Sequence, residues 1–244
     1  MNRGILALVR LGRLGAVSCQ VACAGWGGAA PALQDAGGVD LGLHLDLAEG
    51  RGGLAALLVR SHLRALPRRA LAARIAGQLD VFEAAVHRPP DFVDGHQHCH
   101  QLPGVRDVLL DLLEARYRER LPFVRSTAPR RWRGPKAALL AGLGGRALGR
   151  ELARRAFPHN ADFGGVYDLR PGGDHRARMR AWLADVEDGG LVLCHPGDGP
   201  GDPGDPIAPA RARELAYLAS DAFPADLAEA GVEPVRLRSL AGRR

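Results

Sequence analysis

Short apolar runs alternate with longer stretches of helical periodicity along almost the whole chain, and that alternation narrows the fold to the α/β class. Residues 2 to 13 carry Ile5, Leu8 and Val9 on one helical face. Ala16 to Val21 reads as a strand, Gly25 to Gly28 as a break, and Val39 to Leu45 as the next strand. From Pro67 the apolar residues Leu71, Ile75, Leu79, Phe82 and Val86 recur every three or four positions, and the proline suits a helix start. Val105 to Tyr117, Lys136 to Ala156, His175 to Val186, Pro209 to Ala219 and Ala225 to Ala230 continue the helical pattern. Gly142, Gly144 and Gly145 weaken the middle of the second of these. Strand candidates lie at Phe92-Val93, Phe123-Val124, Leu191 to Cys194 and Val235 to Leu237. The expectation is one parallel α/β domain over residues 1–244, either an open sheet or a barrel.

In such folds chemistry collects at the C-terminal ends of the strands. His44, the segment Asp94-Gly95-His96-Gln97-His98-Cys99-His100, and His195 each stand at such an end. Three imidazoles within five residues, behind the apolar lead-in Phe92-Val93, look like a metal site. If the extended conformation continues, His96, His98 and His100 share one face. The alternative is a polar surface turn, with His44 a satisfied core histidine and His195 a turn residue. Agreement between three distant segments favours a site.

Composition excludes more than it proposes. With 33 basic and 27 acidic residues the net charge is +6, yet the arginines are dispersed and only 5% of residues are aromatic. That reads as solvated helix faces rather than a nucleic-acid surface, and no nucleic-acid partner is expected. Cys19, Cys23, Cys99 and Cys194 lack paired zinc-finger spacing, and reduced packing thiols are expected. No apolar stretch is long enough to span a bilayer. Ile5 to Val9 faintly resembles a signal-peptide core, but Arg10 and Arg13 interrupt it, so a cytoplasmic protein is expected.

Four stretches, in order, resemble the YdjC-type carbohydrate deacetylase family: Gly42 to Gly50, Asp94 to Pro103, Asn160 to Asp168, and Cys194-His195-Pro196-Gly197. Arg213-Glu214-Leu215 is similar to that family's terminal helix. The resemblance implies a (β/α) barrel-like fold with fewer than eight strands. It also implies one divalent ion, Mg or Zn, held by an aspartate and two histidines, the latter matching His44 and His96. The aspartate belongs to an Asp-Asp-Phe-Gly segment that this sequence lacks. Met1 to Ile5 resembles the start of the helix that follows that segment, so the first strand is expected to be missing through a misassigned start. Two uncovered sheet edges would then favour a homodimer. Asn160-Ala161-Asp162-Phe163-Gly164 imitates the absent motif with a single aspartate and is not expected to replace it.

The implied reaction is hydrolysis of the N-acetyl group of an amino sugar or chitooligosaccharide. His195 is the expected general acid, since an imidazolium suits protonation of a leaving amine. Asp94 is expected to fix an imidazole tautomer, and His98 and His100 to orient ligands or contact sugar hydroxyls. Trp132 and Trp182 are candidates for sugar stacking, although a helical residue such as Trp182 suits a core better. Gly197 to Pro206 suits a lid, its acidic spacing being wrong for an EF-hand. Two other readings remain open: an inactive carbohydrate-binding remnant, and a phosphoesterase or amidohydrolase with more carboxylate ligands.

Overall fold

A computed structural model describes residues 2–48, 52–170, 172–198 and 205–240. Four parallel strands, β1 (Ala16–Cys19), β2 (Asp40–Leu45), β3 (Phe92–Gly95) and β4 (Phe123–Val124), lie side by side in chain order. A second parallel pair joins β5 (Phe163–Gly164) to β6 (Leu191–Val192). Around them run α1 (Asn2–Arg10), α2 (Trp26–Ala36), α3 (Gly53–His62), α4 (Arg68–Val86), α5 (Val105–Arg116), α6 (Pro135–Leu140), α7 (Arg146–Arg154), α8 (His175–Asp185), α9 (Ala208–Ala219) and α10 (Ala222–Ala230). The α/β class with parallel strands is as expected. Among the described residues no ladder joins β1 to β6.

The strand register explains how one sheet serves both packing and chemistry. Ser18 pairs with Gly42, Gly42 with Phe92, and His44 with Asp94, so one face carries Ser18, His44 and Asp94 above a layer of Phe92 and Phe123. Gly42 is required by this layering, because a Cβ there would lie 2.5 Å from the Phe92 ring. The opposite face presents Leu41, Leu43, Leu45, Val93 and Val124 to Leu33, Ile75, Leu79, Phe82, Leu109 and Leu113 of α2, α4 and α5. Burying each such side chain stabilises by about 1.5–3 kcal/mol. A smaller core unites α1, α8, α9 and α10 through Leu8, Met179, Leu183, Tyr217, Leu218 and Phe223.

Several elements depart from expectation for identifiable reasons. The break at Gly25 to Gly28 is instead the start of α2, because Trp26 stacks on Phe82 at 5.8 Å and that burial outweighs the poor helix propensity of glycine. Periodicity gave no sign of α3, which buries only Leu57 and Ser61. The helix expected from Lys136 to Ala156 is interrupted by a π-turn at Ala141–Gly145, where Gly144 adopts φ 147°. Val235 to Leu237 forms no strand. Arg238 gives its backbone N–H to Asp40 Oδ2 (2.8 Å) and its Nε–H to Asp40 Oδ1 (2.6 Å), placing Leu237 under Phe92 and Phe123 as a plug at the N-terminal end of the sheet.

Candidate active site

The extended backbone expected through His100 stops at Gly95. His96–Gln101 winds into a 3₁₀ turn, with Gln97 (φ 49°) and His98 (φ 60°) both in the left-handed region. The three imidazoles therefore separate instead of sharing one face. Gly95 permits the turn, since a Cβ there would lie 2.9 Å from the backbone nitrogen of His100 and 3.0 Å from the Cys99 sulfur.

His96 comes back over the strand ends toward His44, with ring centroids 5.6 Å apart and planes at 77°. His44 Nδ1 meets Asp94 Oδ1 at 2.7 Å, and Ser18 donates to the same oxygen at 2.5 Å. The other Asp94 oxygen, Oδ2, is paired with Arg125 Nη1 at 2.5 Å. Burial opposes ionisation of Asp94, but Arg125, His44 and Ser18 outweigh it and hold the carboxyl far below its ordinary range. Because a carboxylate only accepts, His44 carries its proton on Nδ1 and leaves Nε2 for a ligand.

Arg125 is the hub of the site. Beyond Asp94, its Nη2 donates to Gly95 O (3.1 Å) and to His98 Nδ1 (3.3 Å), and its own carbonyl accepts from His100 Nε2 (2.9 Å). His100 is fully buried, so it stands behind the site and cannot touch a sugar. Its pKa is pushed down to about 3, by burial first and then by Arg125. His98 is half-buried, its ring edge-on to Phe163 at 6.1 Å.

His195 follows β6 into the same region, near enough to His44, Arg125 and Lys136 to feel their charge. Its backbone N–H donates to Glu214, which also accepts from the Tyr167 hydroxyl at 2.5 Å. Burial, then Arg211, Arg125, His44 and Lys136, lower the His195 pKa to about 4. At neutral pH this side chain therefore starts as a neutral imidazole and must gain a proton before it can act as a general acid.

Other candidates fall away from the centre. Asp162 is fully buried and accepts from the backbone of Arg130 (2.9 Å) and Phe163 (2.8 Å) and from Arg133 (2.5 Å), which makes it a structural anchor. Trp182 packs against Tyr167 and His175, while Trp132 is 74% exposed. The supposed lid includes 199–204, which lie outside the described residues. Periodicity could not single out Ser18, Arg125 and Glu214. Arg125 was legible only as the charged residue directly after Phe123-Val124, two positions from inward-facing Phe123.

For a divalent ion, His44 Nε2 and the His96 ring offer two nitrogen donors of suitable chemistry. The nearby carboxylate, Asp46, is engaged by Gln20 Nε2 (2.5 Å) and the Ala48 backbone (2.9 Å). Among the described residues no group of three His, Cys, Asp or Glu side chains is placed to hold one ion. The residues fit two positions of a coordination shell.

The family model described as YdjC-like protein matches residues 1–229. The chain belongs to the YdjC-like family. Among solved structures, it resembles a protein of Enterococcus faecalis V583 to which cellobiose-phosphate cleavage has been provisionally ascribed. The two share 17% identity and a TM-score of 0.68, over 98% of this chain and 93% of that one, so the likeness concerns the fold. No curated protein matches the chain. Among the described residues of this YdjC-like protein no helix is long and apolar enough to cross a membrane.

Proposed function

We propose that this YdjC-like protein hydrolyses the N-acetyl group of an acetylated amino sugar or chitooligosaccharide, using one divalent ion, Mg or Zn, on His44 and His96. The convergence of those two rings beside the buried Asp94–Arg125 pair carries the reading. Membership of a family related to carbohydrate deacetylases and cleavage proteins supplies the substrate class. When bound, the ion would polarise the acyl oxygen and acidify a water. Asp94 keeps the His44 lone pair aimed outward, with Ser18 and Arg125 fixing the carboxylate. His195, neutral at rest, takes a proton from the attacking water and passes it to the departing amine, so one imidazole serves as base and then acid. Glu214 holds the backbone of His195 for that transfer.

The test is acetate release from N,N′-diacetylchitobiose with added Zn or Mg. Metal-dependent release that falls at least a hundredfold in His195→Ala supports the assignment, and no release under any metal removes it. A second reading, a saccharide-binding protein without hydrolysis, is favoured by the two-donor site, which lacks a carboxylate partner among the described residues. It predicts diacetylchitobiose binding that survives His195→Ala, with no acetate formed.

A further inference from the structure

We propose that His98 is a hydrogen-bond donor to a substrate oxygen, locked by Arg125 as the neutral tautomer that carries its proton on Nε2. A guanidinium has no acceptor lone pair, so the 3.3 Å contact between Arg125 Nη2 and His98 Nδ1 requires an unprotonated Nδ1. The neutral ring then bears its hydrogen on Nε2, which has no hydrogen-bond partner among the described residues. Arg125 cannot turn away from this task. Its side chain is 3% exposed and pinned to Asp94 and Gly95, and its guanidinium lies 5.9 Å from the Phe163 ring that the His98 ring also meets.

The backbone at His98 is held in an uncommon conformation. His98 holds φ 60° and ψ 25° directly after Gln97 at φ 49° and ψ 29°. Left-handed conformations cost a non-glycine residue roughly 1–2 kcal/mol each, and two in succession persist only where the surroundings impose them. The turn separates the chemistry of neighbours in sequence. His96 goes to His44, His100 donates inward to the Arg125 carbonyl, and His98 Nε2 meets no protein acceptor among the described residues. With Nδ1 committed to Arg125, His98 can serve neither as a metal ligand through that atom nor as a base through Nε2. What remains is a preorganised neutral donor, the type of group that stabilises charge developing on an acyl oxygen.

This assignment of a substrate contact rests on the hydrolase reading, but its first test does not. Nitrogen-15 NMR of the histidine rings in the full chain reads the tautomer directly. A neutral His98 with its hydrogen on Nε2 is expected, and a hydrogen on Nδ1 overturns the proposal whether or not the protein hydrolyses anything. The second test compares His98→Ala with His98→Gln, whose amide restores a donor. Binding of diacetylchitobiose and acetate release should fall at least tenfold in the alanine variant and recover to within about threefold in glutamine. Equal losses in both variants, with folding unchanged by circular dichroism, would contradict the donor role. If no variant releases acetate, the hydrolase reading fails, and the ring spectrum with the binding comparison still decides the donor.

Discussion

Replacing Arg125 with methionine tests the electrostatic centre of the site through stability alone. The Arg125 and Asp94 side chains are each 3% exposed and meet at 2.5 Å. Removing the cation leaves a carboxylate in the interior with only His44 and Ser18 as partners, a change that costs about 3–5 kcal/mol in comparable buried pairs. The Gly95 carbonyl also loses its donor, adding about 1 kcal/mol or more. For a chain of this length, about 4–6 kcal/mol corresponds to a fall in Tm of roughly 10–20 °C. The depressed pKa of Asp94 fixes the pH window. Its stabilisation is present above the unfolded carboxyl value of about 3.9 and is lost only as pH falls below it, so the full effect appears at neutral pH. Urea denaturation of wild type, Asp94→Asn, Arg125→Met and the double variant measures the coupling. The double variant should lose markedly less than the sum of the two single changes. A loss under 1 kcal/mol for Arg125→Met, or strict additivity, would refute the description of this pair.

Two further perturbations follow from local geometry. His175 is 5% exposed, has no hydrogen-bond partner on either ring nitrogen, and has its pKa lowered to about 4 by burial, then Arg178 and Arg213. The unfolded chain takes up a proton there near pH 6.5 while the folded chain does not. This group's stabilisation is therefore complete above about pH 6.5 and declines by up to about 1.4 kcal/mol per unit on acidification toward 4. His175→Phe should flatten the pH dependence of urea midpoints over that range, and an unchanged slope would disprove it. Gly42→Ala places a Cβ 2.5 Å from the Phe92 ring and should destabilise by about 1–3 kcal/mol. Phe92→Leu should restore part of that loss in thermal melts, whereas a neutral Gly42→Ala would show that the inner layer is looser than described.

The sequence carried the fold where periodicity and burial coincide. Leu71, Ile75, Leu79, Phe82 and Val86 marked α4 because all five face the core, and Asp40–Leu45 was visible as an apolar strand. It failed where a tertiary contact overrode local preference. Trp26 carries a helix through two glycines by stacking on Phe82, and Asp40 draws Arg238 out of the ladder that Val235 to Leu237 suggested. The same division holds in the site. His44, His96 and Asp94 were legible because motif and strand end agree. The different fates of His98 and His100 were not, since they depend on two left-handed residues and on Arg125, a residue contributed by the next strand. A lowered pKa for His195 was likewise invisible, as it comes first from burial by the tertiary fold and then from Arg211, Arg125, His44 and Lys136, which approach it from separate segments.

The most direct test of the account is a cobalt(II) titration of the full chain, followed by visible absorption and calorimetry, alongside His44→Ala and His96→Ala. One ion per wild-type chain, with the absorption band lost in each single variant, is the expected result. Two ions per chain, or cobalt binding unaffected by either substitution, would show that these imidazoles do not share one metal.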